Sequence, residues 1–421
     1  PNVISFATTQ EFLQQFNTQS FQNETILVKG ARGFNFHEIV VLLEEKNHET
    51  ILEINLDAIS HNLNFYKSKL NPDSSDSEQA KQTKIMVMVK AFGYGNGGYE
   101  IAKLLEHHKV DYLGVAFADE GIELRKAGIT TPIMVLNPEN SSFRAMIAYN
   151  LEPEIYSITG LQAFLKIAQH QNISHYPIHI KLDTGMHRLG FEPHLIDDLC
   201  SLLKNNNFVK VKSVFSHLAA SDDLKLDDFT KLQFQRFDAM YSELEKVLPS
   251  KPIRHILNTS GIFNYAEKQM EMVRLGIGLY GIGNSEQELK VLENVSTLKT
   301  IISQIREVLP EESIGYSRRF RVTQKMKVAT IPIGYADGIR RAWGNEKGFV
   351  TINNQKATIL GSICMDMMMV DVTNISCKTG DEVIVFGKNP KVTEMASVIG
   401  TIPYEILTGI SQRVKRILFK N

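Results

Sequence analysis

The residues most suited to chemistry begin at "KIMVMVKAFGYGNGG", Lys84 to Gly98, where an apolar run from Ile85 to Val89 ends in Lys90 and a glycine-rich turn. A primary amine at the tip of a buried strand can condense with a carbonyl to form a Schiff base. The commoner use of such a lysine is to lay its stem along apolar surface and keep its charge in water. The glycines suggest a nucleotide phosphate loop, but no Gly-Lys-Ser/Thr follows them. "KLDTGMHRLG" then gathers Lys181, Asp183 and Arg188 with two glycines, which is equally the make-up of an ordinary charged loop. "FSHLAASDD" puts His217 after another apolar run, where a lone histidine is more often structural. "LNTSG" offers Asn258, Thr259 and Ser260, suited to a phosphate and to capping a helix. "VRLGIGLYGIG" puts Arg274 ahead of glycines whose backbone N–H groups can approach an anion. Each cluster has a plain structural use. All five stand at ends of predicted strands, and a lysine, a phosphate-type loop and a buried arginine together suggest pyridoxal 5′-phosphate.

The elements that must position these residues follow from periodicity. Short apolar runs at Ile85–Val89, Tyr112–Ala116, Ile133–Leu136, Glu154–Ile155, Ile178–Leu182, Val211–Phe215, Ile256–Leu257 and Met272–Leu275 alternate with helical stretches such as "ITGLQAFLKIAQH". Repeated strand–helix units predict an α/β fold, a (β/α)8 TIM-like barrel, with its site at the C-terminal strand ends. A doubly wound open sheet satisfies the same periodicity. The stretch "TILEINLDAISHNLNFYKSKL" reads as a strand, then Asp57 as N-cap, then a helix that opens the barrel unit. "NPDSSDSEQAKQTK" is almost free of apolar residues and reads as a surface loop. Beyond about residue 290 short alternating strands take over, with "INNQKA" as a hairpin turn, and predict an all-β domain closed by a short helix near Val392–Ile399. Residues 1–46 form a separate small unit, read as a strand at Ile26–Val28, a turn at Gly30 and Gly33, and a helix from about Phe36. The expected division is 1–46, a barrel over 50–290 and a β domain over 291–421.

Composition bounds the function classes. With 421 residues, 43% hydrophobic, 22% charged and a formal net charge of -1, the chain reads as a globular protein of two or three domains. Nothing in that charge points to nucleic acid or an anionic membrane. No apolar run reaches membrane-spanning length, and the first residues lack the pattern of a signal peptide. Cys200, Cys364 and Cys377 show no metal-type spacing, so no metal is expected. They fit a reducing, cytoplasmic setting.

From about residue 50 to 421 the chain resembles the alanine racemase family. The resemblance is carried in order by "MVKAFGYGNG", "KLDTGMHRLG", "MVRLGIGLYG", "IGYSRRF", "IPIGYADG", "GSICMDMMMVDVT" and "TIPYEILTGISQRV". It implies a pyridoxal-phosphate enzyme that interconverts L-alanine and D-alanine through an aldimine, with one base on each face of Cα, and supplies D-alanine for peptidoglycan. Lys90 would hold the cofactor and act as one base; Tyr316 would be the other, contributed by the second subunit of a homodimer. Tyr94, Asn258–Ser260, Gly276, Ile277 and Tyr404 would contact the phosphate. His217 would line the pyridine ring, Arg274 would face its nitrogen, and Arg188 would hydrogen-bond the phenolic oxygen. Met365 would offer its backbone N–H to the substrate carboxylate, and Tyr335 would narrow the entrance. Lys181 matches the lysine that many members carry carbamylated.

The chain departs from the family pattern in "GSICMD", with Ser362 where an arginine is usual near the entrance, in "LDTGMHRLG", with His187 for a glycine, and in "TGISQRVKR". The first raises a broad-specificity or serine-preferring racemase as an alternative. A decarboxylase of the same fold type lacks the "GYADG" and "CMD" arrangement. A non-catalytic cofactor-binding protein would need neither Lys90 nor Tyr316. The N-terminal "ILVKGARGFNFHEIVVLLEEK" resembles the last strand and helix of a Mur-type peptidoglycan ligase, the enzyme that adds D-alanyl-D-alanine. This resemblance implies the racemase part of a ligase–racemase fusion.

Overall fold

A computed structural model describes residues 4–16, 26–30, 34, 36–43, 49–70 and 83–420. Eight parallel strands form a nearly closed barrel: β2 (Lys84–Met88), β3 (Tyr112–Val115), β4 (Ile133–Val135), β5 (Glu152–Ile155), β6 (Tyr176–Lys181), β7 (Val209–Phe215), β8 (Ile253–His255) and β9 (Met272–Leu275). β3, β4 and β9 are buried along their whole length, and the others toward their C-terminal ends, as parallel strands covered by helices must be. Hydrogen-bonded pairing runs β8-β7-β6-β5-β4-β3-β2-β9. Ile256–Leu257, expected as a strand, lies just past β8. Its Leu257 carbonyl accepts from Arg274 N at 3.0 Å and draws β9 against the open edge. Below it, Glu271 accepts from Arg254 N and pairs with the Arg254 guanidinium at 2.6 Å.

Strand β1 (Ile51–Asn55) does not join the barrel. It runs antiparallel to β10 (Ser296–Ile301), with Leu52 opposite Leu298, and parallel to β19 (Lys415–Phe419). The helix Leu56–Ser68 that follows is capped by Asn55, not Asp57. Asn55 Oδ1 accepts from Asp57 N and Ala58 N at 3.0 and 3.1 Å, satisfying two of the donors a helix start leaves unpaired.

The rest of the chain supplies β11 (Gln304–Val308), β12 (Ser313–Ile314), β13 (Phe320–Arg321), β14 (Met326–Ile331), β15 (Phe349–Ile352), β16 (Gln355–Leu360), β17 (Met368–Asp371) and β18 (Glu382–Phe386). With β1, β10 and β19 they form a nine-stranded sheet, β11-β14-β17-β16-β15-β18-β10-β1-β19, and β12 and β13 pair separately. The expected hairpin at "INNQKA" forms between β15 and β16, with Asn353 and Asn354 both left-handed at φ 48° and 61°. Beyond the helix Val392–Val398, a second short helix at Pro403–Thr408 carries Tyr404 back to the barrel.

At the N-terminal end the helix expected from Phe36 forms over His37–Leu43. Ile26–Val28 is irregular, not a strand. The turn at Gly33 and most of the polar loop, residues 71–82, lie outside the described residues. Among the described residues no helix is long and apolar enough to cross a membrane.

Candidate active site

At the end of β2 the chain does something L-residues resist. Lys90 is followed by Ala91, Phe92, Gly93 and Tyr94 at φ 53° to 58°, and by Gly95 at φ 84°. Left-handed backbone costs about 1–2 kcal/mol per non-glycine residue, so the turn needs outside support. Glu120 supplies it: one oxygen accepts from Ala91 N at 2.6 Å, the other from Ala116 N at 2.7 Å. Gly95 lets the helix Pro403–Thr408 press close, since a Cβ there would lie 2.2 Å from the Leu407 carbonyl oxygen. The turn leaves Lys90 lining a cavity of about 830 Å³ at the C-terminal end of the barrel. Burial, then the charges of Arg188 and Lys181, lower the pKa of its amine despite the opposing pull of Glu120 and Glu154.

One end of the cavity is built from hydroxyls and bare backbone. Tyr94, Asn258, Thr259, Ser260, Gly276 and Tyr404 all line it. A Cβ on Gly276 would sit 3.0 Å from the Tyr94 hydroxyl and 3.5 Å from Thr259 Oγ1, so glycine keeps this corner open. Thr259 Oγ1 also accepts from Gly276 N at 2.9 Å. Asn258 serves as a helix cap, its Oδ1 accepting from Gly261 N at 2.9 Å. Ser260 accepts a short hydrogen bond from Asn284. Ile277 is buried beside Gly276 and does not line the cavity. The Tyr404 ring, 5.9 Å from that of Tyr94, comes from the β domain and covers this end. Burial raises its phenol to about 12, so it stays protonated and can donate.

At the other end Arg274 is buried and pinned. Its guanidinium donates to His255 Nδ1 at 2.7 Å, Ser216 O at 2.7 Å, Ile256 O at 3.1 Å and His217 Nδ1 at 3.2 Å. A guanidinium only donates, so both rings accept through Nδ1. Burial, then the Arg274 charge, depresses both well below the ordinary histidine range, which keeps them neutral. His255 Nε2 then donates to Ser213 Oγ at 2.8 Å. Ser213 donates to His179 Nδ1 at 2.6 Å, and His179 Nε2 donates to Glu152 at 2.8 Å. This line of hydrogen bonds crosses the barrel interior and fixes Arg274 from behind.

Lys181 also lines the cavity, with its Nζ 3.0 Å from Glu154 Oε1. Arg188 stands at the exposed rim and makes no hydrogen bond to any described residue. In the same loop His187 sits at φ 53°, which accounts for the usual glycine. Asp183 holds it there, accepting from the N–H groups of Gly185, Met186 and His187 at 2.9 to 3.1 Å. Four basic residues and no carboxylate line the cavity among the described residues, so it favours a small, strongly anionic ligand.

Tyr316, Met365 and Tyr335 are not brought into this cavity. They lie on the β domain with 71, 53 and 43% of their surface exposed. Tyr316 sits in a tight turn between β12 and β13, entered through Gly315 at φ 77°. Ser362 is buried, with its backbone N about 3.4 Å from the place of a Gly315 Cβ, so it underlies the Tyr316 turn. The last three motifs converge. Tyr335 N and Ala336 N donate to the Cys364 and Met365 carbonyls at 3.0 Å, and Arg413 bridges Asp337 and Asp366 at 2.6 and 2.7 Å.

Sequence reading missed Leu136 and Asn137 after β4, Phe215 at the end of β7, and the supporting Glu120, Glu154 and His255. The first two follow from the barrel rule that residues past each strand face the site. The carboxylates needed the strand register.

The chain matches the family descriptions "Alanine racemase, N-terminal domain" over residues 54–284 and "Alanine racemase, C-terminal domain" over 295–418. It belongs to the alanine racemase family. Alanine racemase 1 of Clostridium acetobutylicum is 36% identical over 380 residues, covering 88% of this chain and 95% of that protein. Alanine racemase of Clostridium tetani is 37% identical with the same coverage. Among solved structures, alanine racemase of Clostridium difficile 630 superposes with a TM-score of 0.81 at 36% identity, over 89% of this chain and 96% of that one. Alanine racemase from Bartonella henselae, solved with covalently bound pyridoxal phosphate, gives a TM-score of 0.77 at 27% identity, over 88% and 99% of the two chains.

Proposed function

We propose that the cavity interconverts L-alanine and D-alanine with pyridoxal 5′-phosphate, Lys90 and Tyr316 serving as the two bases. The observation that carries this is Lys90: an amine of lowered pKa, in a cationic barrel-end cavity, between a hydroxyl corner kept open by Gly276 and a buried arginine. That donor set fits the cofactor. Tyr94, Thr259, Ser260, Tyr404 and the backbone at Gly276 suit its phosphate, Lys90 its aldehyde, and Arg274 its ring nitrogen. When bound, the cofactor acidifies the substrate Cα–H by drawing electrons into its ring.

The chain's own residues do the rest. Lys90 moves a proton at one face of Cα, and a base on the opposite face completes inversion. The Arg274 guanidinium only donates and cannot take up a proton, so a ring nitrogen held beside it would stay unprotonated. The electron sink would then be moderate, which favours simple proton return over transamination. Arg188, at the rim, would hold the cofactor's phenolic oxygen. Tyr316, Met365 and Tyr335 are exposed away from their own chain's cavity, as expected of residues supplied to the cavity of a partner subunit. This exposure supports a homodimer with two composite sites.

In a cell the product would serve peptidoglycan synthesis in the cytoplasm, and residues 1–46 would be the tail of a Mur-type ligase joined to the racemase. The test is to load the protein with pyridoxal phosphate, supply L-alanine or L-serine, and measure each D-isomer. D-alanine should form with the higher kcat/KM. A preference for serine would establish the alternative specificity, and no D-isomer from either would refute the racemase reading.

A further inference from the structure

The left-handed turn that begins at Lys90 is not backed by solid core. A cleft of about 570 Å³ lies behind it, lined by Val89, Ala91, Phe92 and Ile410, with Arg416 on its wall. Backbone held at positive φ relaxes unless its surroundings fix it, so the space behind this turn needs a restraint. Glu120 restrains the start of the turn, at Ala91 N. The far end is restrained from the β domain. Arg416 Nε donates to the Gly95 carbonyl at 3.1 Å, and its guanidinium carbon lies 5.8 Å from the centre of the Phe92 ring. Its terminal nitrogens donate to the Ser411, Val414 and Ile410 carbonyls at 2.5, 2.7 and 2.8 Å. Arg416 stands on β19 opposite Leu52 of β1. From β10, on the other side of β1, Ser296 hydrogen-bonds Asn96, whose amide donates to the Gly93 and Tyr94 carbonyls at 3.2 and 3.1 Å. Gly95 N then donates to the Ala91 carbonyl at 2.9 Å, one residue from Lys90.

We propose that Arg416 is a positioning residue for Lys90: it latches the β domain to the turn and so fixes where the amine stands. This rests on reading Lys90 as the amine that holds the cofactor and moves the proton. Among the described residues the hydrogen bonds of Arg416 all go to backbone carbonyls, and burial lowers its pKa. A half-buried cation held by carbonyls alone gains nothing from an ion pair. Its use lies in its shape. Nε reaches the turn while both terminal nitrogens stay bound to the stretch from Ile410 to Val414. A lysine ammonium, a single point of donors on a flexible stem, does not reproduce that fork. Without the latch the turn relaxes into the cleft, and the Lys90 amine loses part of its burial.

The test is the titration of Lys90 in the cofactor-free protein, read by mass spectrometry as the pH dependence of its acetylation, for the wild type, Arg416→Ala and Arg416→Lys. In the wild type, burial and then the charges of Arg188 and Lys181 hold the amine low, against Glu120 and Glu154. Burial is the largest of these causes, so both variants should shift the titration up toward the ordinary lysine value. Arg416→Lys keeps the positive charge, so a rise there reports the turn's geometry and not the loss of a cation. Loaded with pyridoxal phosphate, both variants should lose about 10- to 100-fold in kcat with KM for alanine little changed, as expected when a reacting group is displaced. A Lys90 titration that stays at its wild-type position in Arg416→Lys would overturn the proposal, whatever happens to the melting temperature. So would a wild-type kcat in that variant. If Arg416→Ala fails to fold, Arg416→Lys decides alone. The titration needs neither cofactor nor turnover, so its outcome stands apart from a failure of the racemase reading, which would show as an inactive wild type.

Discussion

Lys90 illustrates how a reactive residue is held at a cost to the fold. Burial and neighbouring cations lower its pKa, so the folded protein binds its proton less readily than the unfolded chain does. Between that lowered value and the ordinary lysine value of about 10.4, the unfolded state binds more protons, and stability rises with pH through that window. Lys90→Met fills the same space without the charge. We expect the cofactor-free variant to melt above the cofactor-free wild type at pH 7, with the advantage fading as pH rises through the window. Equal melting temperatures at neutral pH would show that Lys90 is not strained in place. Lys90→Ala should abolish racemisation and borohydride trapping of the cofactor. At this scale Lys90, Tyr94, Lys181, Arg188, His217 and Arg274 were legible from residue type and motif. Glu154 was not, because "LEPEIYS" and "HIKLD" are far apart in sequence and become neighbours only through the β5–β6 register.

At the scale of elements, the barrel was readable because its strands are continuous apolar runs between amphipathic helices. Strand β1 carried a signal of its own: half-buried residues alternate with Leu52 and Ile54, unlike the continuous buried run of β2 from Ile85 to Met88. That alternation marks a sheet with one covered face, where β1 in fact lies. The left-handed turn after Lys90 was not legible, since Ala91 and Phe92 have no intrinsic preference for it and Glu120 supports it from the helix Ala118–Lys126, beyond β3. Its packing on Pro403–Thr408 makes a prediction. Gly95→Ala would set a Cβ against the Leu407 carbonyl at positive φ, costing about 1 kcal/mol or more. Displacing that helix also moves Tyr404. We expect a lower melting temperature together with weaker pyridoxal phosphate binding, measured by cofactor titration. Unchanged binding would mean that Tyr404 does not depend on this contact.

For the whole molecule, the arrangement that matters is the separation of Lys90 from Tyr316: one in the barrel cavity, the other exposed on the β domain. No described residue before Thr50 lines the cavity, so deleting residues 1–46 should leave kcat largely unchanged, and a large loss in an intact dimer would show that they support the site. Tyr316→Phe keeps the ring and removes the acid–base group, so racemisation should fall by roughly 10²- to 10⁴-fold with the fold preserved. The most direct test is to mix Lys90→Ala subunits with Tyr316→Phe subunits under conditions of verified subunit exchange. If each cavity takes its tyrosine from the partner, one site of every heterodimer carries both defects and the other carries neither. Activity should then return to as much as half the wild-type value per heterodimer. Fully exchanged heterodimers that stay as inactive as either parent would place both bases in one chain and contradict the composite site.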